Sequence, residues 1–261
     1  MLTLYHTGMS TCSQKVRLVL AEKGLDFESR DVNLLGGAQH DPEYVKLNPN
    51  HVVPTLVHDE RALIESSLIN EYLDDAFPEP PLRPADPGER HAMRVWVKRI
   101  DERVHTAAPV VTFAIGPRKA VLAQPADVRE AAIAGIPDPK KRAARRSVIE
   151  HGVKAPEFAG ALREFVALLD DMERALDAQP WLSGDAFGLA DAAALPYVLR
   201  LDHLETTPLL PANARPDVAD WYARVQARGS FATAVGAWAP APVVDLFRQS
   251  YRLSGSPVAL F

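Results

Sequence analysis

The chain has 261 residues, with 29 Lys and Arg against 34 Asp and Glu, a formal net charge of −5. That length allows one large domain or two small ones, and the mildly acidic balance argues against nucleic acid as a main partner. Hydrophobic residues make up 47%, which supports a sizeable core and argues against global disorder. No run of about 18 apolar residues occurs, so no membrane span is expected. The first residues, MLTLYHTGMSTC, carry no basic stretch leading an apolar one, so no signal peptide is expected. Cys12 is the one cysteine, which excludes an intramolecular disulfide framework, a CxxC redox pair and a cysteine-rich zinc site. No metal is expected, and a reducing cytoplasm fits.

Leu2–His6 reads as a short apolar strand. Thr11–Lys23 follows with Val16, Val19 and Leu20 at helical spacing, and Gly24 stands where a helix C-cap is wanted. Phe27–Val32 reads as a second strand. A loop with Gly36-Gly37 leads to a short helix over Pro42–Leu47. Thr55–His58 and Ala62–Ile64 flank Asp59–Arg61 as a hairpin. Glu65–Asp75 is helical, with Leu68, Ile69, Tyr72 and Leu73 on one face. The order is βαβ followed by αββα, and a strand–helix–strand unit implies a parallel pair.

Five prolines fall within Pro78–Pro87, which reads as an extended linker because proline lacks an amide proton and fixes φ. Beyond it the pattern is helical. Glu89–Thr106 reads as a long helix. Proline and glycine punctuate Pro109–Pro156, where short helices and loops are expected. Phe158–Leu176 shows a clean 3.6 period, and Leu189–Leu201 and Pro216–Arg228 are further helices. The expected division is 1–77, linker 78–88, and an all-α domain over 89–261. That last domain carries a long insert at about 109–156 and an irregular tail from about 240.

A small α/β domain, a proline-rich linker and an all-α domain together resemble the cytosolic glutathione transferases. Asn48-Pro49-Asn50-His51-Val52-Val53-Pro54-Thr55-Leu56 is similar to the family's NPxxxVPxL segment, whose proline is cis. Leu63-Ile64-Glu65-Ser66 with Ile69 and Tyr72-Leu73 is similar to its LxES segment. Ser10-Thr11-Cys12-Ser13-Gln14-Lys15-Val16-Arg17 resembles the serine-containing start of its first helix. Leu189-Ala190-Asp191 resembles the capping motif of a C-terminal helix, and Trp221, Arg224 and Ala227-Arg228 match its penultimate helix. The resemblance spans about residues 1–240. Leu82-Arg83-Pro84-Ala85-Asp86-Pro87, then Met93-Arg94-Val95-Trp96 and Asp101-Glu102, resemble bacterial glutathione-dependent β-etherases that act on lignin-derived aryl ethers, and the long insert with Ile136-Pro137, Pro139, Arg145-Arg146 and Gly152 points the same way, to a subgroup rather than a substrate. Two departures stand out: Gly188 replaces the usual Ser or Thr cap, and Arg228 is followed by Gly229 rather than proline.

The fold implied is α/β plus all-α: an N-terminal thioredoxin-like βαβαββα domain and a C-terminal helical bundle. Glutathione is the implied co-substrate, a small hydrophobic electrophile the second. A free thiol of pKa near 8.5 is only a few per cent ionised at neutral pH. A hydroxyl donor and a helix N-terminus both stabilise the thiolate. Ser10, just before the first helix, is the first choice for that hydroxyl, although serine there is also an ordinary N-cap. Ser13 is the second choice. Cys12 is the third, through mixed disulfides with glutathione, against its reading as a small apolar residue facing the sheet.

The resemblance makes Pro54 cis, with the Val53 backbone pairing the cysteinyl part of glutathione. Ser66 and the helix start would hold the γ-glutamyl carboxylate, Glu65 the ammonium and His51 the glycyl carboxylate. Met9, His105, Phe113 and Tyr197 are candidates for a second-substrate site between the domains, although such residues are more often core. Lys140-Lys141-Arg142 with Arg145-Arg146 reads as a solvated basic face.

The resulting expectation is a detoxifying, homodimeric glutathione transferase with no membrane partner. It would act by thiolate attack on an electrophilic carbon or by cleavage of an aryl ether. The alternatives are a non-catalytic binding module on the same fold and a glutathione-linked isomerase or thiol reductase using Cys12.

Overall fold

Strand β1 (Leu2–His6) is apolar and almost wholly buried because it runs through the middle of a sheet. The computed structural model describes residues 1–34, 36–206 and 214–254, with side chains as far as 248 in the last stretch. β1 pairs in parallel with β2 (Glu28–Asp31) and antiparallel with β3 (Thr55–His58), which pairs antiparallel with β4 (Arg61–Leu63). The order is β2-β1-β3-β4. Between β1 and β2, helix α1 (Thr11–Glu22) turns Val16, Leu18, Val19 and Leu20 into the core, all without exposure. Gly24 ends it at φ +62°, and Leu25 N–H donates back to Leu20 O at 2.9 Å. This left-handed closure is the one glycine permits.

Three boundaries differ from the sequence reading. The second strand is shorter than 27–32, covering only Glu28–Asp31. Asp59, at φ +54°, and Glu60 form a two-residue turn, so Arg61 pairs with His58 and β4 covers 61–63 rather than 62–64. Glu65 sits at φ +67°, outside the helix, so α3 (Ser66–Ala76) starts one residue late. Helix α2 (Pro42–Leu47) lies where expected, capped by Asp41.

The proline-rich stretch is irregular, with bends and a cis Glu79–Pro80 peptide, and Pro87 is the first residue of α4 (Pro87–Arg99), not linker. Proline suits a first helical turn, whose N–H has no partner anyway. Asp86 Oδ1 accepts from Gly88 and Glu89 N–H at 2.8 and 3.0 Å. The stretch is anchored rather than loose. The buried Lys23 Nζ donates to Phe77 O and Pro80 O and pairs with Asp74 at 2.7 Å. Asp74 also accepts from Leu82 N–H and Arg83 Nε.

The helix expected at 89–106 does not stop there. It passes through a π turn (Ile100–Val104) into α5 (His105–Ile115), which contains Pro109. His105 N–H reaches back five residues to Ile100 O. Burial of Ala107, Ala108, Val111 and Thr112 offsets an interior proline's penalty of about 3 kcal/mol. The remaining insert is α6 (Arg118–Leu122), α7 (Ala126–Ala134) and α8 (Pro139–His151), the last longer than a short helix. Helix α9 (Phe158–Leu176) buries Phe158, Leu162, Phe165, Leu169 and Met172, as its period requires. Then come α10 (Leu189–His203), α11 (Pro216–Gln226) and α12 (Gly229–Ala234). The tail is a correction: residues Ala241–Ser254 form α13, which buries Val244 and Phe247. Residues 255–261 lie outside the described residues.

The chain divides into two compact units. The first combines Met1–Lys98 with Gln179–Pro196 and Trp221–Ala239; the second combines Arg99–Ala178 with Tyr197–Asp220 and the chain from Pro240. Asp191 explains why late segments join the first unit. Its buried carboxylate accepts from Leu182, Ser183 and Gly188 N–H and from Trp221 Nε1 at 2.8–3.1 Å. Leu189 N–H donates to Leu82 O at 2.9 Å. A Cβ on residue 188 would stand 2.4 Å from Leu82 O, so glycine replaces the family's usual cap for lack of space.

Candidate active site

Three segments meet at one end of the sheet. Tyr5 pairs with Thr55, and Leu56 with Leu63. The turn leaving β1, the loop entering β3 and the residues leaving β4 therefore share an edge. They carry Ser10, His51–Pro54 and Glu65-Ser66.

Ser10 has extended backbone angles, and its Oγ accepts from Ser13 N–H at 3.2 Å, which makes it the N-cap of α1. That bond uses a lone pair of the hydroxyl and leaves its proton for another acceptor. Capping and donation to an anion are thus compatible in one side chain. Ser13 is placed differently: it is fully buried, and its Oγ accepts from Thr7 N–H at 3.4 Å. Cys12 lies between them, half-buried and not in a disulfide.

The turn is braced by residues to which the sequence reading gave no separate role. Arg17 donates to Thr7 O at 3.2 Å, Gly8 O at 2.8 Å, His6 Nδ1 at 3.0 Å and Ala234 O at 2.7 Å. The Trp238 ring packs 4.6 Å from the His6 ring and 5.4 Å from the Arg17 guanidinium. Burial pushes Arg17 down to about 9. Burial first, then the Arg17 charge, pushes His6 down to about 4. His6 is therefore neutral near pH 7: Nδ1 accepts from Arg17, and Nε2–H faces Ser29 Oγ at 2.8 Å. A Cβ on Gly8 would stand 2.2 Å from Trp238 O. The available signal was Arg17 itself, a lone charge among Val16, Leu18, Val19 and Leu20.

The Val53–Pro54 peptide is cis. Behind this loop, Tyr44 OH donates to Val52 O at 2.6 Å, and Asn48 Nδ2 donates to Val52 O and Thr55 Oγ1. Among the described residues nothing pairs with the backbone N–H or C=O of Val53. His51, at φ +56°, brings its Nδ1 within 3.1 Å of His40 Nδ1. Desolvation, then the His51 charge, lowers the His40 pKa, and an anion beside the pair would oppose that. His40 was not anticipated, because the loop fold alone brings it to His51.

Glu65 holds a left-handed backbone that non-glycine residues rarely adopt. Asn50 Nδ2 donates to its Oε1 at 3.2 Å. No side chain caps α3, so its first amides point outward unpaired. Ser66 is nearly buried beside them, and Ser67 Oγ is buried without a partner. A helix N-terminus in this condition favours a carboxylate.

The candidates for a second substrate are divided. Met9 belongs to the first unit, and His105, Phe113 and Tyr197 to the second. Tyr197 OH and His105 Nδ1 lie 3.1 Å apart. Tyr197 is fully buried, with its ring against Phe165, as a core residue. Phe113 is half-buried beneath Arg145.

Residues 4–81 match the model of the glutathione S-transferase N-terminal domain, and 143–224 that of the C-terminal domain. Protein LigF of Sphingobium sp. strain SYK-6 is 34% identical over 73% of this chain and 75% of its own. Tetrachloro-p-hydroquinone reductive dehalogenase of Sphingobium chlorophenolicum is 30% identical over 89% of this chain and 94% of its own. The crystal structure of β-etherase LigF superposes with a TM-score of 0.80 at 29% identity, covering 90% of this chain and 99% of that one. The chain belongs to the glutathione S-transferase family.

Proposed function

We propose that this glutathione transferase activates the glutathione thiol with Ser10 and uses the thiolate to displace a leaving group from a hydrophobic aromatic electrophile. The observation that carries this reading is the state of Ser10. Its lone pair is committed to Ser13 N–H and its proton is not, at the positive end of α1. The hydroxyl then donates to sulfur more strongly in the thiolate than in the thiol, which lowers the thiol pKa.

The unpaired Val53 backbone receives the cysteinyl amide of glutathione as an added strand would. Ser66 Oγ and the α3 amides take the γ-glutamyl carboxylate, and Glu65 takes its ammonium. His51 and His40 face the glycyl carboxylate. His105 and Phe113 are assigned to the electrophile, with Tyr197 acting through His105. In ether cleavage a carbon–sulfur bond forms as the carbon–oxygen bond breaks, and the aryloxide leaves with the electron pair and takes a proton. The β-etherase and dehalogenase among the relatives support an aryl ether or aryl halide.

The molecule acts as a homodimer through the exposed Leu68 of α3 and Val95 of α4. The test is turnover of glutathione with a chlorodinitrobenzene, a β-aryl ether and a mixed disulfide, on wild type and Cys12→Ala. Displacement that survives Cys12→Ala supports the reading. Activity confined to the disulfide and lost in Cys12→Ala replaces it with thiol exchange. No turnover on any arm would favour a binding module.

A further inference from the structure

Arg17 stands on the second turn of α1 and is only 1% exposed. Among the described residues no carboxylate pairs with it. Its donors meet uncharged acceptors instead: Nε meets Ala234 O, Nη1 meets His6 Nδ1 and Thr7 O, and Nη2 meets Gly8 O. A guanidinium withdrawn from water with no acid to neutralise it is costly. A position that keeps one therefore calls for more than a filler of space.

The link from Arg17 to Ser10 runs through the Thr7 peptide. Thr7 O accepts from Arg17 Nη1 at 3.2 Å and from Ser10 N–H at 3.3 Å. Thr7 N–H donates to Ser13 Oγ at 3.4 Å. Ser10 O accepts from Gln14 N–H at 2.9 Å, and Ser10 Oγ from Ser13 N–H at 3.2 Å. Every polar group of Ser10 is thus fixed except its hydroxyl proton. Arg17 holds the far side of that frame, gripping the carbonyls of two successive residues and tying them to Ala234 O. The turn has no slack on that side, since a Cβ on Gly8 would stand 2.2 Å from Trp238 O. The Trp238 ring covers the guanidinium at 5.4 Å. Of these partners His6 alone titrates, and it is neutral near pH 7.

We propose that Arg17 is a positioning residue for thiol activation: by holding the Thr7 and Gly8 carbonyls it aims the Ser10 hydroxyl at the glutathione sulfur, so that the ionisation of the thiol depends on Arg17 through Ser10. A hydrogen-bond donor stabilises a developing anion only when it is held in place beforehand. A misplacement of about 1 Å by a distant change can cost about a hundredfold in rate. The planar fork is what the position needs, because acceptors on both sides of it must be met at once. Lysine would carry the charge but not the fork. The inference rests on the reading of Ser10 as the thiol activator.

The probe is bound glutathione. The ultraviolet absorbance of its thiolate is followed against pH, less that of the same protein holding S-methylglutathione, so that the contribution of Cys12 cancels. Arg17→Lys should raise the pKa of the bound thiol by about one unit, which leaves about tenfold less thiolate at about pH 6.5. In a Ser10→Ala background the same substitution should change the thiolate fraction less than about twofold. Trp238→Leu uncovers the guanidinium without removing a donor. It should cost about threefold in thiolate, and it reports on Arg17 even where Arg17→Lys does not fold. A thiol pKa unmoved in either variant that folds, with only a lower urea midpoint, overturns the proposal and leaves Arg17 a packing role. An equal shift with and without Ser10 overturns the route through Ser10. Failure of the Ser10 reading itself is separate: Ser10→Ala alone would then leave the thiol pKa at its wild-type value.

Discussion

Replacing Asp191 should unlock the late segments of the first unit. The two carboxylate oxygens divide their donors evenly. Oδ1 accepts from Leu182 N–H and Trp221 Nε1, and Oδ2 from Ser183 and Gly188 N–H. All lie where water cannot replace the acceptor, since Asp191 and Trp221 have no exposure. In Asp191→Ala every one of these donors is stranded. At about 1–3 kcal/mol for each buried group, shared among neighbours that relax together, a loss of about 4 kcal/mol follows. Asp191→Asn keeps one oxygen and turns an NH2 group toward the other two donors. Burial raises the Asp191 pKa despite its donors, so the neutral amide also escapes part of the desolvation cost. A loss of about 2 kcal/mol is expected for it. Urea unfolding followed by tryptophan fluorescence measures both. A loss below about 1 kcal/mol in Asp191→Ala, with an unchanged denaturant slope, would refute the reasoning.

Glu65→Ala and Ser66→Ala should each weaken glutathione binding by about 1.5–3 kcal/mol, read by calorimetry; unchanged affinity in both removes the assigned grip. Gly188→Ser restores the usual cap residue but drives Cβ to within 2.4 Å of Leu82 O. It should destabilise by about 1–3 kcal/mol in the same urea assay, and a gain would contradict the steric account. His6 and His203 fall from 6.5 to about 4 and about 3, each chiefly through burial. The unfolded chain therefore binds more protons than the fold below about pH 6.5. The stability these groups contribute is complete above that value and is lost as pH falls toward 4. His6→Gln should flatten the dependence of the urea midpoint on pH; an unaltered slope would sink this attribution.

Regular periodicity made much of the architecture readable. The apolar run of β1 and the apolar faces of α1 and α9 answer to local sequence alone, and the motif order located the edge that gathers Ser10, Val53 and Glu65. What escaped was decided by distant partners. Proline signals a break, yet Pro109 lies inside α5 because buried neighbours outweigh one lost bond. Prolines 240 and 242 concealed α13, although Val244 and Phe247 have helical spacing. Gly188 looked like a weakened cap until the carbonyl of Leu82 showed why nothing larger fits. The charge run on α8 looked uniform, but helical geometry lays Arg145 over Phe113 while Lys141 stays exposed and Arg146 pairs with Glu130. Arg17 and His6 brace the Ser10 turn through Ala234 and Trp238, more than two hundred residues along the chain.

The most direct test of the thiol-activation claim is the pH–rate profile of Ser10→Ala at saturating glutathione, with Ser13→Ala and Cys12→Ala beside it. Loss of the hydroxyl should move the acid limb up toward the solution thiol value near 8.5. Turnover at about pH 6.5 should then fall at least about tenfold more than at about pH 9, with glutathione affinity nearly unchanged because its gripping groups lie elsewhere. An unshifted profile in Ser10→Ala, accompanied only by a stability loss of about 0.5–2 kcal/mol, would reduce Ser10 to a helix cap and contradict the account.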